Sequence, residues 1–500
     1  MIETASGPVQ GMTLGDIQAF LGIPYAAPPV GELRWKEPAP PRSWKEPLEA
    51  IRFGPACPQP RIEFFKSLIG KTDRMSEDCL HLNVWTPFRS PSDRLPVMVW
   101  IHGGGFYVDR ASQPMYHGHS LAQKGVVVVS LNYRLGPFGF LAHPELTAES
   151  PHHSSGNYGL MDQIFAFTWV RENIERFGGD PGSVTIFGQS AGAVCVSALM
   201  VSPPAQGLFH RVIAQSGGLP GQVRLRDQDQ GPLRSMESLG QDLAARMGFG
   251  GKDGAINAMR AKSWEEILAA GERPTGVVPG GGTLDHFSVD GYVLTEPPRL
   301  AFSQGRQSNV PFITGIVSGE GLGFAGVIRP NLERLKGFVQ ARYGRLSDKI
   351  LDFFSPQNDR EAWRAFLDLT GPGGFGLQAR WHARKMSAIQ PQTYLYHFSR
   401  VSEARKLRDA GCFHCSEIPY IFRVAPEWDP FDEEDWRLSE EISGYWARFA
   451  KTGDPNGPGH VEWPAYDAET DRYLNFDAPI RADRRLYKEI MDFLEGLNRT

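Results

Sequence analysis

The segment Val184-Thr185-Ile186-Phe187-Gly188-Gln189-Ser190-Ala191-Gly192 constrains this chain more than any other. A β-rich run breaks at a glycine-flanked serine and passes straight into Ala193 to Met200, which are small and helix-compatible. A strand must therefore turn directly into a helix. Glycines on both flanks remove side chains that would collide in so tight a turn, and the serine at its apex has its hydroxyl lifted clear of a sheet. The helix that follows aims its first amides at that hydroxyl, where negative charge is favoured.

A serine hydroxyl is nearly unreactive at neutral pH until a base takes its proton, and the anion that forms needs donors. The run His102-Gly103-Gly104-Gly105-Phe106 follows the apolar strand Leu95 to Ile101 directly. Bare glycine amides there, with the amide of Ala191, would make a three-donor anion hole. A plain glycine-rich turn is the alternative, and the position after a strand favours the hole.

A strand-borne serine of this kind is followed in the chain by an acid and then a histidine in the α/β-hydrolase plan. Of 13 histidines, His286, His382, His397, His414 and His460 follow the serine with room for an acid between. His397 alternates with aromatics in the strand-like run Thr393 to Phe398 and reads as a strand residue. His414 stands in a loop-like stretch, Asp409 to Glu417, which favours it as the base. For the acid, the apolar run Val310 to Val317 ends in Ser318-Gly319-Glu320-Gly321, and a carboxylate at a strand end can hold an imidazole in its working tautomer. An ordinary loop glutamate fits that position equally well.

Further motifs extend over nearly the whole chain. They include Phe20 to Ala26, Pro28 to Arg34, Glu77 to Val84, Asn132-Tyr133-Arg134, Gly156 to Gln163, Phe177 to Pro181 and Phe449 to Asn456. In this order they resemble the type-B carboxylesterase family, which embraces bacterial para-nitrobenzyl-type esterases, mammalian carboxylesterases and cholinesterases. The resemblance implies an α/β-hydrolase fold, with a central mostly parallel sheet flanked by helices and helical insertions over the site. It implies one catalytic unit over residues 1–500. It also implies Ser190 as nucleophile, His414 as general base and then acid, Glu320 as the orienting carboxylate, and Gly104, Gly105 and Ala191 as oxyanion donors. Ester cleavage to acid and alcohol through an acyl-enzyme follows, with no cofactor and no metal. Cys57 and Cys79 occupy positions that form a disulfide in many members.

Departures from the family pattern narrow the substrate. Gln189 stands where many relatives carry Glu, so one negative charge is missing beside the reaction centre. The stretch between Cys57 and Cys79 has Phe64 and Phe65 but no tryptophan to face a quaternary ammonium. Both features argue against a choline-ester specialist. Gly319 replaces an Asp often found before the acid, which brings the local hydrogen bonding into question. A catalytically silent binding or adhesion relative, an amidase and a lipase are the competing readings. The silent relative is disfavoured because serine, acid, histidine and glycines are all present.

Composition excludes other classes. Net charge is −5 with a pI near 6.3, and the basic residues are scattered, so nucleic acid is not an expected partner. No apolar run approaches the roughly 20 residues that span a bilayer. The expected partner is a small-molecule ester, and the expected state a monomer or small homo-oligomer. The opening Met1-Ile2-Glu3-Thr4 lacks a basic and apolar leader, which reads as cytoplasmic, with a secreted or periplasmic protein as the alternative if a leader was removed. The sequon Asn498-Arg499-Thr500 reads as accidental.

Cys412 and Cys415 bracket His414. A zinc site would need further ligands and would disable the base, so oxidation that disturbs the histidine loop is the more reasonable expectation. Arg273 to Gly282 reads as a surface loop, and Leu322 to Asp368 as helical insertions in which Phe324, Phe338, Phe353 and Phe354 pack between helices rather than line a pocket. Acyl and alcohol size preference is not written in these residues.

Overall fold

Apolar runs along the chain become the central strands of an 11-stranded sheet in the computed structural model, which describes residues 1–61, 74–88, 90–271, 286–324, 330–407 and 411–497. In chain order they are β1 (Met12–Leu14), β2 (Ile17–Pro24), β3 (His81–Thr86), β4 (Leu95–Ile101), β5 (Val127–Leu131) and β6 (Gly179–Gln189). There follow β7 (Arg211–Gln215), β8 (Phe312–Val317), β9 (Thr393–Phe398), β10 (Arg472–Phe476) and β11 (Arg481–Arg484). Their order across the sheet is β11-β10-β9-β8-β7-β6-β4-β5-β3-β2-β1. Every pairing from β5 to β10 is parallel, and the flanking strands join antiparallel.

Parallel strands need helical crossovers, which cover both faces of the sheet and demand side chains that are apolar on both. Val127, Val128, Val129 and Leu131 of β5 are accordingly all 0% exposed. Between β5 and β6 lies the helix Tyr158–Asn173. It passes into a 3-10 turn, Ile174–Phe177, and Gly178 at φ 76 ends it in the left-handed region that glycine tolerates.

The strand order reverses beside β4. Its neighbours are β5 on one side and β6 on the other, so the loops leaving the carboxyl ends of β4 and β6 diverge and open a crevice. That crevice receives both the glycine run after Ile101 and the serine after Gln189. Several sequence motifs far from it act as fasteners. Arg134 donates from its backbone N and Nε to Asp162 Oδ2, both at 2.9 Å, and from Nη2 to Oδ1 at 2.7 Å, tying the β5 end to the crossover helix. Arg34 Nε donates to Glu77 Oε1 at 2.6 Å, and the Tyr25 hydroxyl donates to Asn132 O at 2.7 Å. Breaking such a buried pair from one side costs about 3–5 kcal/mol, because a charge is left without compensation.

The expected insertions are helical over Leu332–Tyr343, Ser347–Phe354 and Asp359–Thr370. Phe338 meets Phe366 edge-on at 5.1 Å, and Phe353 stacks on Phe493 at 4.0 Å while touching Phe354. These rings pack helix on helix. The Arg273 to Gly282 loop, Phe64 and Phe65, the Phe324 side chain and the Asn498-Arg499-Thr500 sequon lie outside the described residues. Among the described residues, no helix is long and apolar enough to cross a membrane. Cys57 and Cys79 are neighbouring free thiols in hydrogen-bond contact, so the bond their positions imply is not formed in this structure. The Cys57 sulfur also accepts the Leu135 amide at 3.3 Å.

Candidate active site

Ser190 sits at φ 56 and ψ −122, a left-handed conformation that a non-glycine residue adopts only under strain, typically about 1–3 kcal/mol. The surroundings enforce it. A Cβ on Gly188 would stand 2.6 Å from the Gly192 carbonyl carbon, and one on Gly192 would stand 2.1 Å from Ile101 O. Either side chain would push β6 away from β4. The Ser190 amide donates to Gln215 O at 2.9 Å, and a Cβ on Gly217 would lie 2.4 Å from Ser190 O, so β7 holds the turn from the other side. Ala191 opens the helix Ala191–Leu199, and its amide has no preceding turn to bond to.

The glycine loop after β4 faces this turn. A Cβ on Gly103 would come 3.2 Å from Ser190 Cβ, which places the loop in van der Waals contact with the serine. Gly104 and Gly105 have φ of +88 and +65, and a Cβ on Gly104 would strike Val108 O at 2.0 Å. Among the described residues the amides of Gly104 and Gly105 have no acceptor, and no atom lies within 4 Å of where a Gly105 Cβ would stand. Both are donors without a partner there, and the space beside Gly105 is open. His102 fastens the loop instead of taking part in proton transfer: its ring stacks on Tyr133 with centroids 4.6 Å apart, and the Tyr133 hydroxyl donates to His102 O at 3.0 Å. Burial holds the His102 imidazole's pKa below its ordinary value.

Glu320 and His414 meet from loops far apart in the chain. Gly319 pairs with Phe413 in a parallel β-bridge, which sets the two following residues side by side. His414 Nδ1 then bonds Glu320 Oε2, while Glu320 Oε1 accepts the Val317 amide at 3.0 Å. Glu320 is 0% exposed. The glycine that departs from the family pattern has a structural reason, since a Cβ at 319 would stand 2.2 Å from Cys412 O and hold the loops apart.

The histidine loop is propped from behind. The guanidinium of Arg405 lies 5.0 Å from the Phe413 ring and pairs with Asp429 at 2.6 Å, both charges being almost fully buried. Phe375, from the glycine-rich π-helical turn Gly371–Gly376, covers the His414 ring with centroids 4.9 Å apart. Gln189 Nε2 lies 3.0 Å from His414 Nε2, and Gln189 Oε1 accepts from Cys415 Sγ at 3.3 Å. Behind these, Glu417 accepts from Gln215 Nε2 at 3.4 Å, and burial with the nearby Glu320 pushes its carboxyl up to about 7.

All the residues singled out for chemistry therefore converge on the crevice. Of the other candidate histidines, His286 packs 4.9 Å from the Phe106 ring at the end of the glycine loop, with burial pulling its pKa down to about 4, and the remaining three are placed elsewhere. His397 bonds Asn475 Oδ1 at 2.8 Å and the Tyr487 hydroxyl at 3.2 Å within the sheet. His382 lies buried between Phe302 and Trp381, its pKa pulled down to about 3 by burial, and His460 pairs with Glu441 at 2.5 Å. The two cysteines flanking His414 turn to different partners, Cys412 donating to Phe398 O at 3.4 Å and Cys415 to Gln189. Glu417, Arg405 and Phe375 went unnoticed in the sequence, and the acidic stretch Asp429 to Asp435, which reads as solvated surface, instead has Asp429 and Asp435 at 0% exposure, paired with Arg405 and Arg400. The spacing of Glu417, three residues beyond His414, was the one local signal available.

A model of the carboxylesterase family matches residues 1–494 of this chain. The fumonisin B1 esterase of Sphingopyxis macrogoltabida is 35% identical over 478 residues, covering 93% of this chain and 84% of that one. The para-nitrobenzyl esterase of Bacillus subtilis is 35% identical over 497 residues, covering 96% and 95%. A solved structure of a PNB esterase superposes with a TM-score of 0.82 at 33% identity, over 99% of both chains.

Proposed function

Given that the chain belongs to the carboxylesterase family, with the α/β-hydrolase fold, we propose that Ser190 is the nucleophile with which this serine carboxylic-ester hydrolase forms its acyl-enzyme. His414 takes the Ser190 proton on Nε2 as Oγ attacks the ester carbonyl, and the amides of Gly104, Gly105 and Ala191 hold the resulting oxyanion. His414 returns the proton to the departing alkoxide. Water then attacks the acyl-enzyme, His414 taking its proton and giving it back to Ser190 Oγ as the acid leaves. Glu320 keeps Nδ1 protonated, so that Nε2 presents its lone pair.

The observation that supports this reading is the Gly319–Phe413 bridge, which joins Glu320 to His414, whose ring lies 3.0 Å from the side-chain amide of Gln189, the neighbour of the strained serine. One unit over residues 1–500 carries the reaction in this reading, since the sheet that presents the site draws strands from Met12 to Arg484. Neutral esters are its substrates in preference to cationic ones, because Gln189 brings no charge. Hydrolysis of para-nitrophenyl esters from acetate to long acyl chains, by the wild type and Ser190→Ala, tests it. The variant should remain folded and lose on the order of 10⁶-fold in kcat. Equal turnover by both would overturn the assignment, and the chain-length profile separates a carboxylesterase from a lipase.

A further inference from the structure

The outgoing limb of the glycine loop is held in a conformation it would not take alone. Asp109 is not a glycine, yet its φ is +92, in the region that a Cβ disfavours. It is buried and stands directly against an oxyanion donor, since a Cβ on Gly104 would lie 2.0 Å from Val108 O and 2.9 Å from Asp109 Cβ. Gly104 O accepts the amides of Tyr107 at 3.1 Å and Val108 at 3.0 Å, so the chain from 104 to 109 closes back on Gly104 as one tight turn. The placing of Asp109 therefore bears on where the Gly104 and Gly105 amides point.

One side chain grips that residue from both sides. Asp109 N donates to Gln59 Oε1 at 2.7 Å, and Gln59 Nε2 donates to Asp109 O at 3.0 Å. The second hydrogen on Nε2 goes to Cys57 O, also at 3.0 Å, so the amide oxygen and both amide hydrogens are engaged. Gln59 is itself buried, and it comes from the segment between β2 and β3. The Asp109 carboxylate is satisfied separately, Oδ2 accepting from the Tyr116 hydroxyl at 2.7 Å and Oδ1 from the Arg110 amide at 2.8 Å. Gln59 thus acts on the backbone of Asp109 alone. The loop is pinned at its entry by the Tyr133 hydroxyl on His102 O and beyond its exit by the Ala111 amide on Asn132 Oδ1 at 2.8 Å. Between those pins, the Gln59 amide holds the strained peptide.

Resting on the reading of Gly104 and Gly105 as oxyanion donors, we propose that Gln59 is a positioning residue for the oxyanion hole, its amide clamping the backbone of Asp109 so that the glycine amides are aimed before an ester arrives. Gln59 acts only through the loop and exchanges no proton. Donors fixed in advance need no reorganisation when charge develops, which is what makes such a hole effective. Without the clamp, the backbone at 109 relaxes towards negative φ, the turn moves off Gly104, and the amides fall out of line with the oxyanion. The cost then falls on the transition state and not on substrate binding.

The test measures kcat and KM on one neutral para-nitrophenyl ester, with inhibition by a trifluoromethyl ketone and by the matching methyl ketone. Ser190 Oγ adds to the carbonyl carbon of the trifluoromethyl ketone as its proton passes to His414, leaving the ketone oxygen as an anion in the hole. The methyl ketone stays an uncharged carbonyl. Gln59→Met keeps the length of the side chain and removes both halves of the clamp. It should lower kcat by about 10- to 100-fold, less than the loss of a whole donor, while KM changes by less than about twofold. Inhibition by the trifluoromethyl ketone should weaken by a similar factor, and inhibition by the methyl ketone should not change. Glycine takes a φ of +92 without strain, so in the Asp109→Gly background the same substitution should cost less than about threefold. Full kcat in Gln59→Met, a kcat loss without the matching loss of trifluoromethyl ketone inhibition, or a loss undiminished beside Asp109→Gly overturns the proposal. If Gln59→Met does not fold, Gln59→Glu decides it, because a carboxylate can accept the Asp109 amide but offers the two carbonyls no donor, and it should show the same paired losses. The wild type separates the two readings: a trifluoromethyl ketone bound no better than the methyl ketone would defeat the hole itself, whereas strong inhibition of wild type and Gln59→Met alike defeats only this proposal.

Discussion

The two halves of the crevice are built by different means. The serine half is made of backbone: adjacent strands β4 and β6 run in register, with Ile101 opposite Gly188, and glycines with no room for a side chain press the loop and turn together. The acid–histidine half is made of side chains carried on loops 94 residues apart, joined by one β-bridge and propped by a buried ion pair. Backbone geometry cannot be loosened without disturbing the sheet. Side chains on loops can be altered one at a time, so chemistry and stability should come apart in the second half and fail together in the first.

Glu320→Gln is the largest test of that contrast. Removing the charge while keeping the shape should cost on the order of 10⁴-fold in kcat, because the imidazole is no longer held in its working tautomer. Thermal unfolding should shift little. A comparable fall in stability would mean that the second half is as structural as the first. Gly192→Ala probes the serine half, where the added Cβ would meet the Ile101 carbonyl at 2.1 Å. It should lower stability by about 4 kcal/mol or more, an exceptional loss for one methyl group, with activity and folded fraction falling together. Soluble, stable protein with altered kinetics alone would erase the distinction.

The smallest effect concerns Glu417, whose carboxyl is raised from 4.5 to about 7 by burial and by Glu320. Between those values the folded protein keeps a proton that the unfolded chain releases, so this group's contribution to stability is complete below about pH 4.5 and is lost as pH rises towards 7. The loss amounts to about 3 kcal/mol by the linkage of 1.36 kcal/mol per unit. Glu417→Gln should therefore gain stability relative to the wild type at pH 8 but not at pH 4.5, as read from urea midpoints. An unchanged difference between the two pH values would show that the carboxylate is better solvated than its position implies.

The same division governs what could be read in advance. Strands β4 and β9 and the serine turn were legible residue by residue, because hydrophobic runs, glycines and strand-to-helix turns are local properties. His414 was separable from His397 by its loop setting, and the strand end singled out Glu320 without deciding between an acid and an ordinary surface glutamate. Nothing in the sequence could show that Gly319 exists to let Cys412 O approach, or that Arg405 and Asp429 meet beneath Phe413. Those contacts join segments whose spacing in the chain carries no period.

By itself the sequence determined the apex serine and the glycine loop, because each depends on conformational preferences of adjacent residues, while the mostly parallel sheet came from the family resemblance. Only the tertiary structure decided that Glu320 and His414 share a hydrogen bond, that the Gln189 amide lies against the His414 ring, and that Glu417 is buried behind them. The physical reason is that burial, charge coupling and hydrogen bonding act through space, and distant loops acquire them only when the sheet brings their ends together.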